Sequence, residues 1–185
     1  MKAMLFIFEG YCEFEIAPAI SILRDTYTIE TISLEHGPCR SEAGLMTLPD
    51  LLIEEADPAA YDVLIIPGGD LRPIVEAEKL FDWVAGFSGR GKLVAAICSG
   101  GYVLAKAGLL ENVPYTVTLS KEQREFLGCF NEEEYCYQPV VVHDNILTAQ
   151  GHAYVEFALQ LARMAGSVSD EKSAFYSGRQ NVMME

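Results

Sequence analysis

A chain of 185 residues, 50% of them hydrophobic, can fill one core between two or three layers, and no linker sets off a second domain, so residues 1–185 read as one unit. With 13 basic against 27 acidic residues the formal charge is −14, which argues against nonspecific attachment to nucleic acid or an anionic membrane, because both need a cationic surface. Small molecules and other proteins remain as partners.

The opening "MKAMLFIFEG" has too short an apolar run for a signal peptide and no small-residue cleavage pattern behind it, so residues 2–8 read as a first strand. No 18-residue apolar stretch is free of charge, which predicts a soluble protein, with the cytoplasm as its compartment. "IAPAISILR" has helical spacing, and the alternating "YTIETISL" predicts a strand over 27–34. Residues 35–50, broken by Gly37, Pro38, Gly44 and Pro49, read as loops with a short hairpin around "SEAGLMTLP". "YDVLIIPGG" predicts a strand buried on both faces that ends in a tight turn. A helix over 73–87 follows, ended by Gly89 and Gly91; then come the strand "KLVAAI" and a helix over 100–107 stopped by Gly108. "YTVTL" reads as a strand, "SKEQREFL" as a helix begun by Ser120, and "EQREFLGCFNEEE" as a solvated acidic face. "YQPVVVHDNILTAQ" predicts a hairpin about His143, Asp144 and Asn145. "HAYVEFALQLARMAG" predicts a closing helix that sets Val155, Ala158, Leu159 and Ala162 on one face. Residues 167–185 have weak periodicity, but Phe175 and Tyr176 mark them as a tail docked on the body or on a second subunit. Strands alternating with helices predict an α/β, three-layer sandwich around a mostly parallel central sheet.

Within that alternation, "KLVAAICSGGYVLAKAGLL" places Cys98 where a central strand turns sharply into a helix. Ala96, Gly100 and Gly101 give the turn little bulk, the spacing of a nucleophile elbow. A thiolate there meets unpaired helix amides, which predicts a pKa below the ordinary value of about 8.5. The N–H of Ser99 and that of Gly69, from the neighbouring strand's "PGG", are candidate oxyanion donors at the sheet edge where such folds bind ligands. Against this stand two simpler readings: a cysteine as a small core hydrophobe, and a glycine pair as a turn. Five cysteines, Cys12, Cys39, Cys98, Cys129 and Cys136, lack CxxC spacing, so neither a disulfide scaffold nor a zinc cluster is expected. Cys129 and Cys136 read as structural thiols.

"AICSGGYVLAKAGLL", "DVLIIPGG", "GYCEFEIAP" and "VVVHDNILTAQGHAYVEFALQL" together resemble the ThiJ/PfpI superfamily, flavodoxin-like relatives of class I glutamine amidotransferases, over residues 3–165. The resemblance implies a flavodoxin-like fold with a reactive cysteine, carried onto Cys98, and a protonated acid from the first strand–helix loop beside it. Glu15 matches that acid and Glu13 is the fallback. Many enzymes of the group carry a histidine after the elbow cysteine or on a separate segment; here Ser99 follows, and "YTVTLSKEQR" has none. His36 and His143 read as turn residues. His152 borders the pocket in this comparison and is the candidate proton carrier, with Glu156 one helical turn on to orient it. That spacing departs from the amidotransferase pair and argues against glutamine hydrolysis. The three histidines fall on unrelated elements, so no metal site is expected, and no cofactor.

The resulting expectation is a homodimer, as is common in the family, acting as a cysteine-dependent, cofactor-free enzyme on a small electrophile such as an alpha-oxoaldehyde. The alternative is a redox or stress sensor, or a small-molecule binder, built on an oxidisable Cys98. Amide or peptide hydrolysis is weaker, for want of a triad.

Overall fold

The computed structural model describes residues 1–89 and 91–179. Its frame is a seven-stranded sheet of β1 (Lys2–Phe6), β2 (Thr28–Ser33), β5 (Leu51–Leu52), β6 (Val63–Ile66), β7 (Leu93–Ile97), β8 (Val140–His143) and β9 (Ile146–Ala149). They lie in the order β5-β2-β1-β6-β7-β9-β8, all parallel except β8, which runs antiparallel to β9. β3 (Cys39–Arg40) and β4 (Met46–Thr47) form the separate hairpin expected near this point. The continuous branched runs of β6 and β7 are buried on both faces, as strands under two helical layers require.

The helices are α1 (Glu13–Leu23), α2 (Glu78–Ser88), α3 (Gly101–Lys106), α4 (Lys121–Leu127), α5 (Tyr154–Met164) and α6 (Asp170–Ser177). α1 packs on α5 and α2 on α3, which gives the layers on either side of the sheet. α1 starts earlier than "IAPAISILR" suggested, so Glu15 lies in its first turn. α2 starts later than expected: residues 71–76 are turns, held at their start by the Asp70 carboxylate, which accepts from the Arg72 N–H at 3.0 Å.

"YTVTL" is not a strand. Tyr115 makes one isolated bridge with Tyr135, and Tyr115, Thr116 and Val117 are all buried. β7 already has β6 and β9 as neighbours, so no edge is free, and the segment instead crosses the strand ends, with Thr118 N–H donating to the Cys98 carbonyl at 3.3 Å. The tail contains a helix, α6, capped by Ser169 and tied to α1 by Tyr176 Oη donating to Ser21 Oγ at 2.6 Å and to the turn after α1 by a Lys172–Asp25 ion pair. Residues 180–185 of the expected docked tail lie outside the described residues. No helix among the described residues is long and apolar enough to cross a membrane.

Candidate active site

β1 and β6 are neighbours whose connections leave in opposite directions along the sheet, and the crevice at their carboxyl ends is where such folds bind ligands. Five segments meet there: the first turn of α1, the Pro67–Gly69 turn after β6, Cys98 after β7, Thr118 on the crossing segment, and Gly151 after β9.

Cys98 has a φ of 59°, the left-handed region that costs a non-glycine residue about 1–3 kcal/mol. It opens a single 3-10 turn, Cys98–Gly100, that leads into α3. The close approach behind it requires Gly100: a Cβ there would stand 2.5 Å from the Pro67 carbonyl oxygen and 2.8 Å from that of Ile66. The sulfur is half-buried, beside a cleft of about 860 Å³. The expected elbow is therefore present, and its thiol is neither sealed in the core nor free in solvent.

Glu15 is 1% exposed and reaches the same point. Its Oε2 accepts the Gly68 N–H at 2.9 Å, and its carboxyl lies beside the Cys98 thiol. Two glycines enclose the pair. A Cβ on Gly68 would stand 2.9 Å from Cys98 Sγ and 2.8 Å from Glu15 Oε2; one on Gly151 would stand 3.0 Å from Sγ and 2.7 Å from Oε1.

Burial drives the Glu15 carboxyl above its ordinary pKa, against the opposing hydrogen bonds from Cys98 and Gly68. With Glu15 ionised, burial and then the carboxylate charge push the Cys98 thiol up to about 12, while the Ser99 N–H and the Thr118 hydroxyl pull it down. The elbow amides alone therefore do not lower this thiol, contrary to the sequence expectation, because desolvation outweighs them. Both contributions from Glu15 disappear when the carboxyl carries the proton, and its O–H then donates to the sulfur. Glu15 and Cys98 thus form a coupled pair that holds one proton between two acids.

Other predicted residues fall as follows. Ser99 follows the cysteine in the 3-10 turn, where its N–H favours the charged sulfur. Gly69 is not a free donor: its N–H is committed to Ser99 Oγ at 2.9 Å, and the same hydroxyl donates back to the Gly69 carbonyl at 2.9 Å. Ser99 therefore clips the β6 turn to the elbow. His152 is exposed on the cleft wall, and no hydrogen bond joins it to Cys98 or to Glu156, itself exposed. Glu13 faces a different groove, lined by Tyr11, Ile16, Leu45 and Thr47, where its Oε2 is buried without a partner. His36 is exposed in a turn and His143 ends β8 beside Asp144. Among the described residues no cluster of three or more His, Cys, Asp or Glu is placed to hold a metal.

Sequence reading missed Gly68, Gly151, Thr118 and Gln150. Thr118 Oγ1 accepts the Gly151 N–H at 2.8 Å and donates to Gln150 Oε1 at 2.8 Å; the Gln150 amide in turn donates to Thr116 Oγ1 at 2.7 Å and to the Val117 carbonyl at 3.0 Å. This network holds the loop after β9 against the sulfur.

A sequence model of the DJ-1/PfpI family matches residues 1–164. Deglycase TK1284 of Thermococcus kodakarensis is 30% identical over 122 residues, 65% of this chain and 74% of its own length. YdeA of Bacillus subtilis, named as an uncharacterized protease, is 30% identical over 170 residues, 88% of this chain and 82% of its own. The crystal structure of DJ-1 superfamily protein Atu0886 from Agrobacterium tumefaciens superposes with a TM-score of 0.84 at 26% identity, covering 97% of each chain.

Proposed function

The chain belongs to the DJ-1/PfpI family, and from that premise we propose that it is a cysteine-dependent, cofactor-free enzyme acting on a small electrophile, of which an alpha-oxoaldehyde is the best fit. What carries the reading is Cys98 on a strained elbow, beside a buried carboxyl and facing an open cleft. Sulfur attacks the aldehyde carbon; the S–C bond forms as the C=O π pair moves to oxygen, and the proton held by the Glu15–Cys98 pair moves onto that oxygen to give a hemithioacetal. Transfer of hydrogen from C1 to C2 as a proton, through an enediol, gives a thioester, and water then releases the 2-hydroxy acid and restores the thiol. The net change is addition of one water, with no external oxidant or reductant. The Ser99 N–H supports charge at the elbow, Gly69 acts by holding Ser99, and His152 on the cleft wall carries protons to and from solvent.

The Thermococcus relative is named a deglycase, which is in keeping with an enzymatic reading. The test is conversion of methylglyoxal to lactate: turnover is expected for the parent and a loss of at least about a hundredfold for Cys98→Ser. Turnover that survives this change, or a parent that has none, overturns the enzymatic reading.

A second reading, a redox sensor, is favoured by the absence of any hydrogen bond from His152 to Cys98. Two successive attacks on peroxide take the sulfur to sulfinate and release two waters, and the same amides and carboxyl hold the product. A single stable mass gain of two oxygens at Cys98, without methylglyoxal turnover, identifies this case. Peptide hydrolysis is the weakest alternative, because the Gly69 amide is already engaged and no base contacts the sulfur apart from Glu15. We also infer a homodimer, and a cytoplasmic setting in which the five thiols stay reduced.

A further inference from the structure

Thr118 Oγ1 has one hydrogen to give. It donates that hydrogen to Gln150 Oε1 at 2.8 Å, its lone pair takes the Gly151 N–H at 2.8 Å, and its backbone N–H holds the Cys98 carbonyl at 3.3 Å. Gly151, whose N–H this hydroxyl holds, packs so closely on the elbow that a Cβ there would stand 3.0 Å from Cys98 Sγ, and Thr118 and Cys98 line the same cleft. Behind it, Gln150 is 3% exposed, and its amide hydrogens are taken by Thr116 Oγ1 and the Val117 carbonyl, so its carbonyl oxygen is fixed toward Thr118 and cannot flip.

We propose that the Thr118 hydroxyl is a switchable donor: it points to Gln150 while the sulfur is protonated and turns to Cys98 Sγ as the thiolate forms. The thiol proton goes to the Glu15 carboxylate; the Thr118 hydrogen stays on Oγ1 and only changes acceptor. This gives the nucleophile, which lacks a neighbouring histidine, a stabilising donor in addition to the Ser99 N–H and the Glu15 O–H. It sets Thr118 as a residue touching the reacting atom and Gln150 as a positioning residue that competes for the same hydrogen. The inference rests on Cys98 being the reactive group of the proposed function.

The other titratable groups on this cleft are Glu15 and Cys12 from the start of α1, Glu42 from the hairpin and His152 after β9. Asp70 is paired with Arg72, and Glu9 and Arg40 stand on the outer wall. All are unchanged in the variants below, so shifts between these proteins report on the hydroxyl.

The test is the pH profile of iodoacetamide alkylation at Cys98, followed by peptide mass in the full chain. Thr118→Val is expected to raise the midpoint by about one pH unit or more, the loss of a hydrogen bond to a charged sulfur. Thr118→Ser keeps the parent midpoint. Gln150→Met, which removes the competing acceptor, lowers it. Opposite shifts at adjacent positions are not what general loosening produces. An unmoved midpoint in Thr118→Val, or a Ser variant that behaves like Val, overturns the proposal; if Thr118→Val does not fold, an unmoved midpoint in Gln150→Met does so. Alkylation reads the thiol without turnover, so absent aldehyde conversion with the expected shifts removes the enzymatic reading alone. A Cys98 inert to alkylation up to pH 10 removes both.

Discussion

Two missing side chains decide whether Cys98 and Glu15 can meet. Gly68 and Gly151 both close on the pair, and at both the nearest obstacles to a Cβ are side-chain atoms of Cys98 and Glu15 themselves. Gly151→Ala therefore should leave the fold in place at a cost of about 1–3 kcal/mol and reduce alkylation of Cys98 at neutral pH at least about tenfold. An alanine variant as reactive as the parent would contradict the packing described. The raised Glu15 carboxyl has a definite sign. The folded pair holds its proton more tightly than an unfolded glutamate, so stability falls as pH rises from the ordinary carboxylate range, near 4.5, through the pair's raised first pKa. Glu15→Gln removes that loss, and its melting temperature relative to the parent should climb between pH 4 and pH 8. A constant difference across that range counts against the assignment. At this scale Cys98 and Glu15 were legible, one from its flanking small residues and the other through resemblance. Gly68 was visible only as half of a glycine pair, and Thr118 and Gln150 as unremarkable strand residues. Their roles come from contacts 20 to 53 positions apart, which no local pattern records.

α4 forms one bank of the cleft, through Gln123, and its start is fixed locally. Ser120 and Gln123 make a reciprocal capping box, with Ser120 Oγ accepting the Gln123 N–H at 3.2 Å and Gln123 Oε1 accepting the Ser120 N–H at 2.8 Å. Ser120→Ala should cost about 1 kcal/mol by denaturant unfolding. The far side of the same helix is held by Arg124, 5% exposed, which donates from Nε and Nη2 to the two Glu132 oxygens at 2.7 and 2.8 Å and stacks on Tyr135. This lowers the Glu132 carboxyl, so the pair stabilises the fold above the ordinary carboxylate range and its contribution is lost as pH falls through the lowered folded value. Glu132→Gln should thus destabilise at pH 7 by about 1 kcal/mol, and the difference from the parent should shrink as pH falls below the ordinary carboxylate range, compared by thermal melts. The stretch "EQREFLGCFNEEE" read as solvated acid is in this respect half wrong: one of its glutamates anchors a buried arginine. Capping signals were legible, at Ser120 and, unnoticed, at Ser169. The alternation of "YTVTL" misled because β-branched residues bury equally well in a segment that crosses strand ends as in one that joins the ladder.

The order of strands was readable only in outline: buried runs alternating with helices imply a parallel sheet, but the two-residue β5 gives no periodic signal. One surface region stands out on the assembled molecule. Leu45, Met46 and Leu48 on the β3–β4 hairpin and Phe14 on α1 are exposed large apolar side chains, and Phe14 and Leu45 line the groove that takes Glu13. This is the face on which the inferred homodimer should close. Light scattering at micromolar concentration should give twice the chain mass, and Leu48→Glu should return it to the monomer. A parent that remains monomeric dismisses the dimer. The site itself draws on residues 15, 68, 98, 118 and 151, each brought in by a different crossing of the sheet. A ribosome releases these in order, so a nascent chain that stops short of β9 carries an ordinary cysteine with no wall beside it. The coupling of Cys98 to Glu15 is therefore a property of the completed sheet, and it arrives only once β9 and the turn after it are in place.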